Sequence, residues 1–322
     1  MDKPFTTYDE QVNILRSKSL EIVDEDELVN YLKRYGYYGL ITGYKRLFKR
    51  KDGNYKPHTT IRDIVALCEY DRNLRELFLR YILVIESHIK SLLSYSFCDK
   101  YGCQESDYLN VNNYQYICFQ KEVTVLIGKL QTAIGSADKH PYLLFQKKQH
   151  GNIGLWALTR VLTIGIVSKM YSLSTSDVQS SVSKEFPFVS EAALSSMLFL
   201  LTDIRNVCAH NERLFDYKDS ENEIRVTDVH RIMKLKMNSG DYIQGRRDLF
   251  ATIITFKYLL PDNEFEEFIN QFEKITDNLL SKTKVIQRLQ IFKLMGLPIN
   301  WTDIRNCPKK LDKKQETYLT DE

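Results

Sequence analysis

The longest periodic pattern in the sequence runs from residue 61 to about residue 100, where apolar residues recur every three or four positions. This spacing places them on one face of an α-helix. We predict one long helix here, or two abutting helices. The recurring residues are Ile64, Leu67, Leu74, Leu77, Phe78, Tyr81, Ile82, Ile85, Ile89, Leu92 and Leu93.

Helical patterns continue through most of the chain. Thr7 and Glu10 have the spacing of a capping box, and residues 24–34 carry an apolar stripe that stops at Gly36. An all-α fold follows, in which 216–245 is the weakest helical stretch and is predicted to be a short hairpin or an irregular insert. Further helices are predicted over 114–134, 154–171, 176–184, 190–210, 248–260, 262–282 and 284–295.

The same patterns suggest how the chain is organised. Its 322 residues allow about one or two domains. We predict an N-terminal helical segment over 1–57 packed on a core of 58–304, followed by a mobile basic tail over 305–322 that lacks periodic apolar residues.

Composition and motifs exclude several classes of protein. The chain has 45 Lys and Arg against 42 Asp and Glu, so any contact with nucleic acid must come from local patches. Its six cysteines are scattered without a C-x-x-C pair, which argues against zinc and against a disulfide framework, and no cofactor is expected. The most apolar run, 155–171, contains Arg160 and Lys169 and is too polar for a membrane span; with no signal pattern at the start, a cytoplasmic location is expected.

The segment 194–216 changes from apolar to polar within one predicted helix. Arg205 and Asn206 follow the apolar stretch, and His210 comes five residues after Arg205. On an ideal helix that separation is about 140°, so the two side chains converge only if Arg205 reaches across or the helix breaks near Ala209. Asn211 could cap such a break.

An arginine beside a histidine and a neutral amide suits a phosphodiester. Arginine binds phosphate through a planar charged fork, and histidine transfers protons near neutral pH. RNA supplies its own nucleophile, the 2′-hydroxyl, so no metal is required. The spacing alone is more typical of a polar helix end, and a second pair with this spacing, Arg225 and His230, lies in the irregular stretch and is interpreted as a coincidence.

A charged pair lies on the long helix. Glu86 and Lys90 are four residues apart, about 40° apart on one face, which also fits an ordinary surface ion pair.

Basic residues cluster over 43–56. They are interleaved with Tyr44, Phe48 and Tyr55, a mixture that favours single-stranded RNA because bases stack while phosphates pair. A solvated helix end explains the same residues as well. The cluster consists of Lys45, Arg46, Lys49, Arg50, Lys51 and Lys56, and a weaker cluster, interpreted as surface, consists of Arg225, His230, Arg231, Lys234 and Lys236.

Glu86-x3-Lys90 on an early helix and RNVCAH at 205–210 on a later one together resemble the HEPN superfamily. The chain as a whole resembles the abortive-infection (AbiD/AbiF type) bacteriophage-resistance proteins. The resemblance is most specific in RNVCAHNERL and stops near Trp301. The matching segments are 3–15, 35–44, the long helix with Glu86, 155–171, 205–216 and 294–301.

The resemblance implies a HEPN-like helical bundle that acts as a metal-independent endoribonuclease in antiphage defence. His210 would transfer protons, Arg205 would hold the phosphate and Asn206 would orient either group. Glu86, Lys90, Asn211 and Arg213 would support the site. Relatives commonly form homodimers, and some associate with a small noncoding RNA.

Two other readings stay open. One is a noncatalytic scaffold that holds a structured RNA, and the other is a toxin restrained by a protein partner or by modification at the motif.

Overall fold

In a computed structural model of the protein, which describes residues 5–310, the periodic segment forms one continuous helix, α3 (Ile61–Tyr101). Thr60 and Asp63 form a capping box at its start, where the Thr60 backbone N–H donates to Asp63 Oδ2 over 2.9 Å. The helix ends at Gly102, whose φ of 95° is readily adopted only by glycine. The first of the two alternatives that the periodicity allowed, one long helix, is confirmed.

The remaining elements confirm an all-α fold with one very small hairpin. Residues 38–42 form a π-helical turn, and short 3₁₀ turns lie at 45–48, 111–113, 137–139 and 301–305. The other α-helices of the described chain are α1 (Tyr8–Ser17), α2 (Glu25–Tyr35), α4 (Glu105–Tyr108), α5 (Gln120–Gly135), α6 (Pro141–His150), α7 (Leu155–Leu158), α8 (Ile164–Leu173), α9 (Ser176–Ser183), α10 (Glu191–Ala209), α11 (Asp228–Ile232), α12 (Leu249–Leu259), α13 (Asp262–Lys282) and α14 (Arg288–Leu294). The two strands, β1 (Met237–Asn238) and β2 (Asp241–Tyr242), pair antiparallel, with Met237 opposite Tyr242.

The helix α3 is the central element of the core. The helix α13 packs antiparallel to it through a cluster of aromatic rings, in which Phe268 lies 5.3 Å from Phe78 and 4.9 Å from Phe256 between ring centroids. Edge-to-face contacts at these distances add to the burial of apolar surface. The core therefore forms along α3.

The helix α10 covers another side of α3. The chain enters α10 after Ser181 contacts Ser96 and Phe186 contacts His88, and it leaves α10 beside Arg75. The two helices are therefore antiparallel, and the end of α10 lies near the first third of α3. Within residues 5–310, α10 is the one helix with the length and composition of a membrane span, yet half of its apolar stretch is buried inside the bundle.

Three helix predictions need correction. The helix predicted from residue 114 begins at Gln120, because Tyr114 instead pairs with Ser174 as an extended bridge. The helix predicted over 154–171 is interrupted, because Thr163 is extended and caps a new helix, α8. The helix α14 is shorter than predicted, and α6, which begins at Pro141, was not predicted.

The first and last described segments and the insert pack against the core. Backbone hydrogen bonds join the N-terminal segment to itself and to the start of α3, where Glu21 bonds to Thr59 over 2.9 Å. The predicted insert contains α11 and the β1–β2 hairpin. The tail predicted from Arg305 does not begin there, since Arg305 pairs with Glu266 on α13 over 2.7 Å and Lys309 pairs with Asp262. Residues 311–322 lie outside the described residues.

Candidate functional site

The polar end of α10 is closed by a specific C-terminal cap. His210 is the first residue past the helix, and Asn211 has a left-handed φ of 57°. The backbone N–H of Glu212 bonds to the Val207 carbonyl over 3.0 Å, and that of Asn211 bonds to Cys208. This pattern is a Schellman motif. The prediction that Asn211 ends the helix is confirmed.

The loop that follows is held by one buried carboxylate, Asp71 of α3. Asp71 Oδ1 accepts the backbone N–H groups of Leu214 over 3.0 Å and of Phe215 over 2.7 Å. Its Oδ2 accepts the hydroxyl of Tyr44 over 2.8 Å and the guanidinium of Arg75. The side chain is fully buried, and burial raises the pKa of the Asp71 carboxyl, while Arg75 and the backbone N–H groups oppose that rise.

Arg75 extends this network to the cap itself. Its guanidinium donates to Asn211 Oδ1 over 2.6 Å and to the Glu212 carbonyl over 3.1 Å. Asp71 and Arg75 therefore fix both ends of the segment 211–215 on α3. Sequence analysis missed this pair, although Asp71-x3-Arg75 has the same acidic-x3-basic spacing as Glu86-x3-Lys90 and lies in the same helix.

Arg213 is a second anchor of this loop. Its side chain donates to the Gly43 carbonyl over 2.6 Å and to Asp216 Oδ1 over 3.0 Å. Arg213 thus ties the loop to the N-terminal segment, in line with the supporting role that the resemblance implies.

The three candidate catalytic residues differ in exposure. His210 and Asn206 are exposed, whereas Arg205 is half-buried and its Nε is buried without a hydrogen-bond partner within residues 5–310. Within the described part of the chain, Arg205 has no ion pair and no hydrogen bond to His210. The guanidinium is thus uncommitted inside the fold.

The pair Glu86 and Lys90 does not meet this loop. Glu86 Oε1 lies 2.6 Å from Lys90 Nζ, and the two residues are only 8% and 9% exposed, so the reading as a surface ion pair is wrong. Glu86 lies eleven residues beyond Arg75 on α3, about 16 Å along the helix axis. Within the described chain, neither residue has a hydrogen bond or ion pair to 205–216.

The aromatic residues of the basic segment are not available to bases. Tyr44, Phe48 and Tyr55 are all buried, and Tyr44 stacks on Phe215 with ring centroids 5.9 Å apart. The predicted stacking platform for single-stranded RNA at 43–56 is therefore wrong. The three rings are buried because they pack against the apolar core of the protein.

The cations of the same segment have different surroundings. Lys49 Nζ lies 3.4 Å from the centre of the Tyr55 ring, and burial lowers the pKa of Lys49 to about 8. Arg50 pairs with Asp52 across 3.4 Å, and Lys51 is exposed. Lys45 is half-buried, whereas Arg46 and Lys56 line an open groove.

The weaker basic cluster also needs one correction. His230 is fully buried, not on the surface. Its Nε2 bonds to the Gly245 carbonyl over 2.8 Å, and its Nδ1 accepts the Thr227 N–H over 3.1 Å, so the neutral ring holds the insert together. In the pair Arg225 and His230, the histidine therefore has a structural role.

Other nucleophiles and metal ligands are scarce near the loop. Burial raises the pKa of the Cys208 thiol to about 12, so this residue remains a thiol at neutral pH. Across residues 5–310, no three His, Cys, Asp or Glu side chains are grouped as a metal site would require.

The geometry defines a class of protein. It is an all-α bundle in which the central helix α3 fixes the loop that follows α10 and carries His210. The family model described as Abi-like protein matches residues 30–216, more than half of the chain, and the chain belongs to that family. The matched range contains α3, α10 and the whole loop to Asp216. No curated protein and no solved structure shows a match to the chain.

Proposed function

We propose that the protein is a metal-independent endoribonuclease of a bacterial abortive-infection system. Membership of the Abi-like family suggests phage defence, and the single observation that carries the enzymatic proposal is the loop 210–215. This loop begins with the exposed His210, one residue past the helix that carries the uncommitted Arg205, and its backbone is fixed by Asp71 and Arg75. A fixed backbone is what positions a proton-transfer group for catalysis.

The reaction would use the RNA's own 2′-hydroxyl. His210 takes the proton from this hydroxyl as its oxygen attacks the adjacent phosphorus, and the P–O5′ bond breaks. A proton returned to the departing 5′-oxygen gives a 2′,3′-cyclic phosphate and a 5′-hydroxyl. Arg205 stabilises the charge that develops on the phosphate oxygens, and Asn206 orients the phosphate.

The chain carries one credible Arg-x4-His motif, which fits a homodimer in which each site combines residues of two chains. The test uses two inactive variants, Arg205→Ala and His210→Ala. If a site takes Arg205 from one chain and His210 from the other, mixed dimers regain one intact site, and an equal mixture recovers about a quarter of wild-type activity. Activity that stays absent after mixing would place both residues of a site in one chain.

The primary assay follows a labelled single-stranded RNA in EDTA. We expect cleavage with cyclic-phosphate ends by the wild type, and a loss of at least about 100-fold in either variant, the usual contribution of a proton-transfer group. Lys148→Ala, an exposed residue of α6, is the matched control and should cleave normally. Full cleavage by folded His210→Ala would refute the assignment.

The scaffold reading predicts a different result. A discrete RNA would copurify with wild type and with His210→Ala in equal amount, and neither protein would cleave. A toxin restrained by a partner would instead arrest growth when expressed alone, and the arrest would be relieved by a neighbouring gene product. The partner of the scaffold would be an RNA and that of the toxin a protein, and for a cytoplasmic protein both partners would be cytoplasmic.

A further inference from the structure

Two open pockets adjoin one another between three parts of the chain that are distant in sequence. One, with a volume of about 800 Å³, is lined by Arg46, Lys56 and Lys218. The other, of about 710 Å³, is lined by Lys236 of the insert. Lys218 and Lys293 line both, so the two pockets meet at these side chains. We call the pair the basic groove.

Five cations of the basic groove have no ion-pair partner within residues 5–310. They are Arg46, Lys56, Lys218, Lys236 and Lys293. The chain as a whole is nearly neutral, with a net charge of +3, so this local concentration is not a consequence of composition. A concentration of cations along one surface attracts a polyanion.

The acidic residues of the groove offset this charge only in part, because among the five groove cations Lys218 is the one whose charge acts on Asp248. Asp216 is paired with Arg213 over 3.0 Å. Asp248 is buried, where its carboxylate accepts the backbone N–H groups of Ala251 over 3.0 Å and of Gly245 over 3.1 Å. Both carboxylates are thus engaged inside the protein.

The groove also lacks a surface on which bases could stack. Phe292 lines it but is buried, and its exposed apolar residues are aliphatic, Leu289 at 58% and Ile299 at 87% exposure. Proteins that bind unstacked single strands use exposed aromatic rings. Lysines without such rings contact phosphates, which favours recognition of the RNA backbone over recognition of bases.

The groove touches the end of the segment that follows His210. Asp216 lines the groove, and Arg213 joins this residue to Gly43, three residues before Arg46. A strand bound along Lys218 and Arg46 therefore passes Asp216, six residues after His210.

We propose that the basic groove binds the sugar–phosphate backbone of RNA through Arg46, Lys56, Lys218, Lys236 and Lys293 and directs it to the loop at His210. The binding of RNA by the groove is independent of the proposed ribonuclease function, and only the delivery of the RNA to His210 rests on it. Binding is indifferent to base sequence and strongly dependent on salt, because phosphate contacts release counterions.

The test measures binding without cleavage. In the His210→Ala background, Lys218 and Lys293 are both changed to Glu at the junction of the two parts of the groove. The control changes Lys147 and Lys148 of α6 to Glu, an identical change of net charge away from the groove. The probes are a 16-nucleotide fluorescein-labelled RNA and the matching 16-base-pair duplex, followed by fluorescence anisotropy from 50 to 200 mM salt.

We expect the junction variant to bind both probes at least about tenfold more weakly, and the slope of log affinity against log salt to decrease by about 1.4 to 1.8 for two lost phosphate contacts. The control should change less than about threefold. Equal binding by the two variants would overturn the proposal, as would equal competition by polyglutamate of matched charge, which would assign the groove to an acidic protein. Circular dichroism and the milder Lys218→Gln/Lys293→Gln variant exclude misfolding as the cause.

The two hypotheses fail separately in this design. Weakened binding by the junction variant, together with RNA cleavage that survives His210→Ala, leaves the groove in place and removes the catalytic assignment. Unchanged binding, with cleavage lost in His210→Ala, does the reverse.

Discussion

The substitution Asp71→Asn tests whether one buried carboxylate fixes the candidate catalytic loop. Asparagine keeps one oxygen, which can still accept the N–H groups of Leu214 and Phe215. Its amide nitrogen replaces Oδ2 and faces the Arg75 guanidinium, so two donors oppose each other where an ion pair stood. The Tyr44 hydroxyl can rotate and accept a hydrogen bond from this amide nitrogen, so the contact with Tyr44 is kept.

The magnitude follows from these contacts. Breaking a buried ion pair by removing one partner costs about 3 to 5 kcal/mol. Arg75 keeps its bonds to Asn211 and to the Glu212 carbonyl, which places the expected loss of unfolding free energy near the lower bound, about 3 kcal/mol. That is a large part of the roughly 5 to 15 kcal/mol that stabilise an ordinary domain.

Two assays on one protein separate stability from positioning. Urea unfolding at pH 7, followed by far-UV circular dichroism, gives the free energy. RNA cleavage under conditions where the variant remains folded should fall by at least about tenfold with unchanged RNA affinity, because the loop that carries His210 loses its anchor.

The matched control is Glu86→Gln, which alters another buried acidic-x3-basic pair of the same helix. It should also lower stability, since Lys90 loses its partner, but the folded variant should cleave as the wild type does. Equal losses of cleavage in both variants, or wild-type stability and cleavage in Asp71→Asn, would refute the positioning argument.

Three further changes test other parts of the structure. Burial lowers the pKa of His230 to about 4, below about 6.5 in the unfolded chain, so the unfolded state binds more protons between these values and stability falls as the pH drops. Urea unfolding should show the wild type losing about 2 kcal/mol more than His230→Gln between pH 7 and 5, and parallel curves would contradict this. Asn211→Ala should be about 1 kcal/mol less stable than Asn211→Gly in thermal unfolding, because the left-handed φ disfavours a Cβ; equal stabilities would argue against that conformation. Phe268→Ala should cost about 3 to 5 kcal/mol by urea unfolding, since its ring contacts five aromatic neighbours and leaves a cavity, whereas a loss under 1 kcal/mol would mean that the core repacks.

Local patterns in the sequence predicted the helices well. The period of α3, the capping box at Thr7 and the stop at Gly36 each depend on residues within a few positions of one another. The role of Asn211 also follows from local geometry, because asparagine tolerates a left-handed backbone.

The site itself depends on distant pairs and was predicted only in part. Asp71 bonds to a segment more than 140 residues later, and no spacing rule connects them. Two acidic-x3-basic pairs lie on α3, so only packing could decide which of them meets the loop. The aromatic residues at 43–56 illustrate the same limit. Sequence composition cannot distinguish an exposed ring that stacks on RNA bases from a ring that is buried in the core.

The central place of α3 has a consequence for synthesis. Ribosomes complete α3 early, but its antiparallel partner α13 is finished about 180 residues later. At roughly 5 to 20 residues per second, the apolar face that α13 covers stays open for about 10 to 40 seconds on every nascent chain. Until α13 is made, Phe78 lacks the rings of Phe268 and Phe272 that cover it, and chains truncated before residue 262 should aggregate instead of folding.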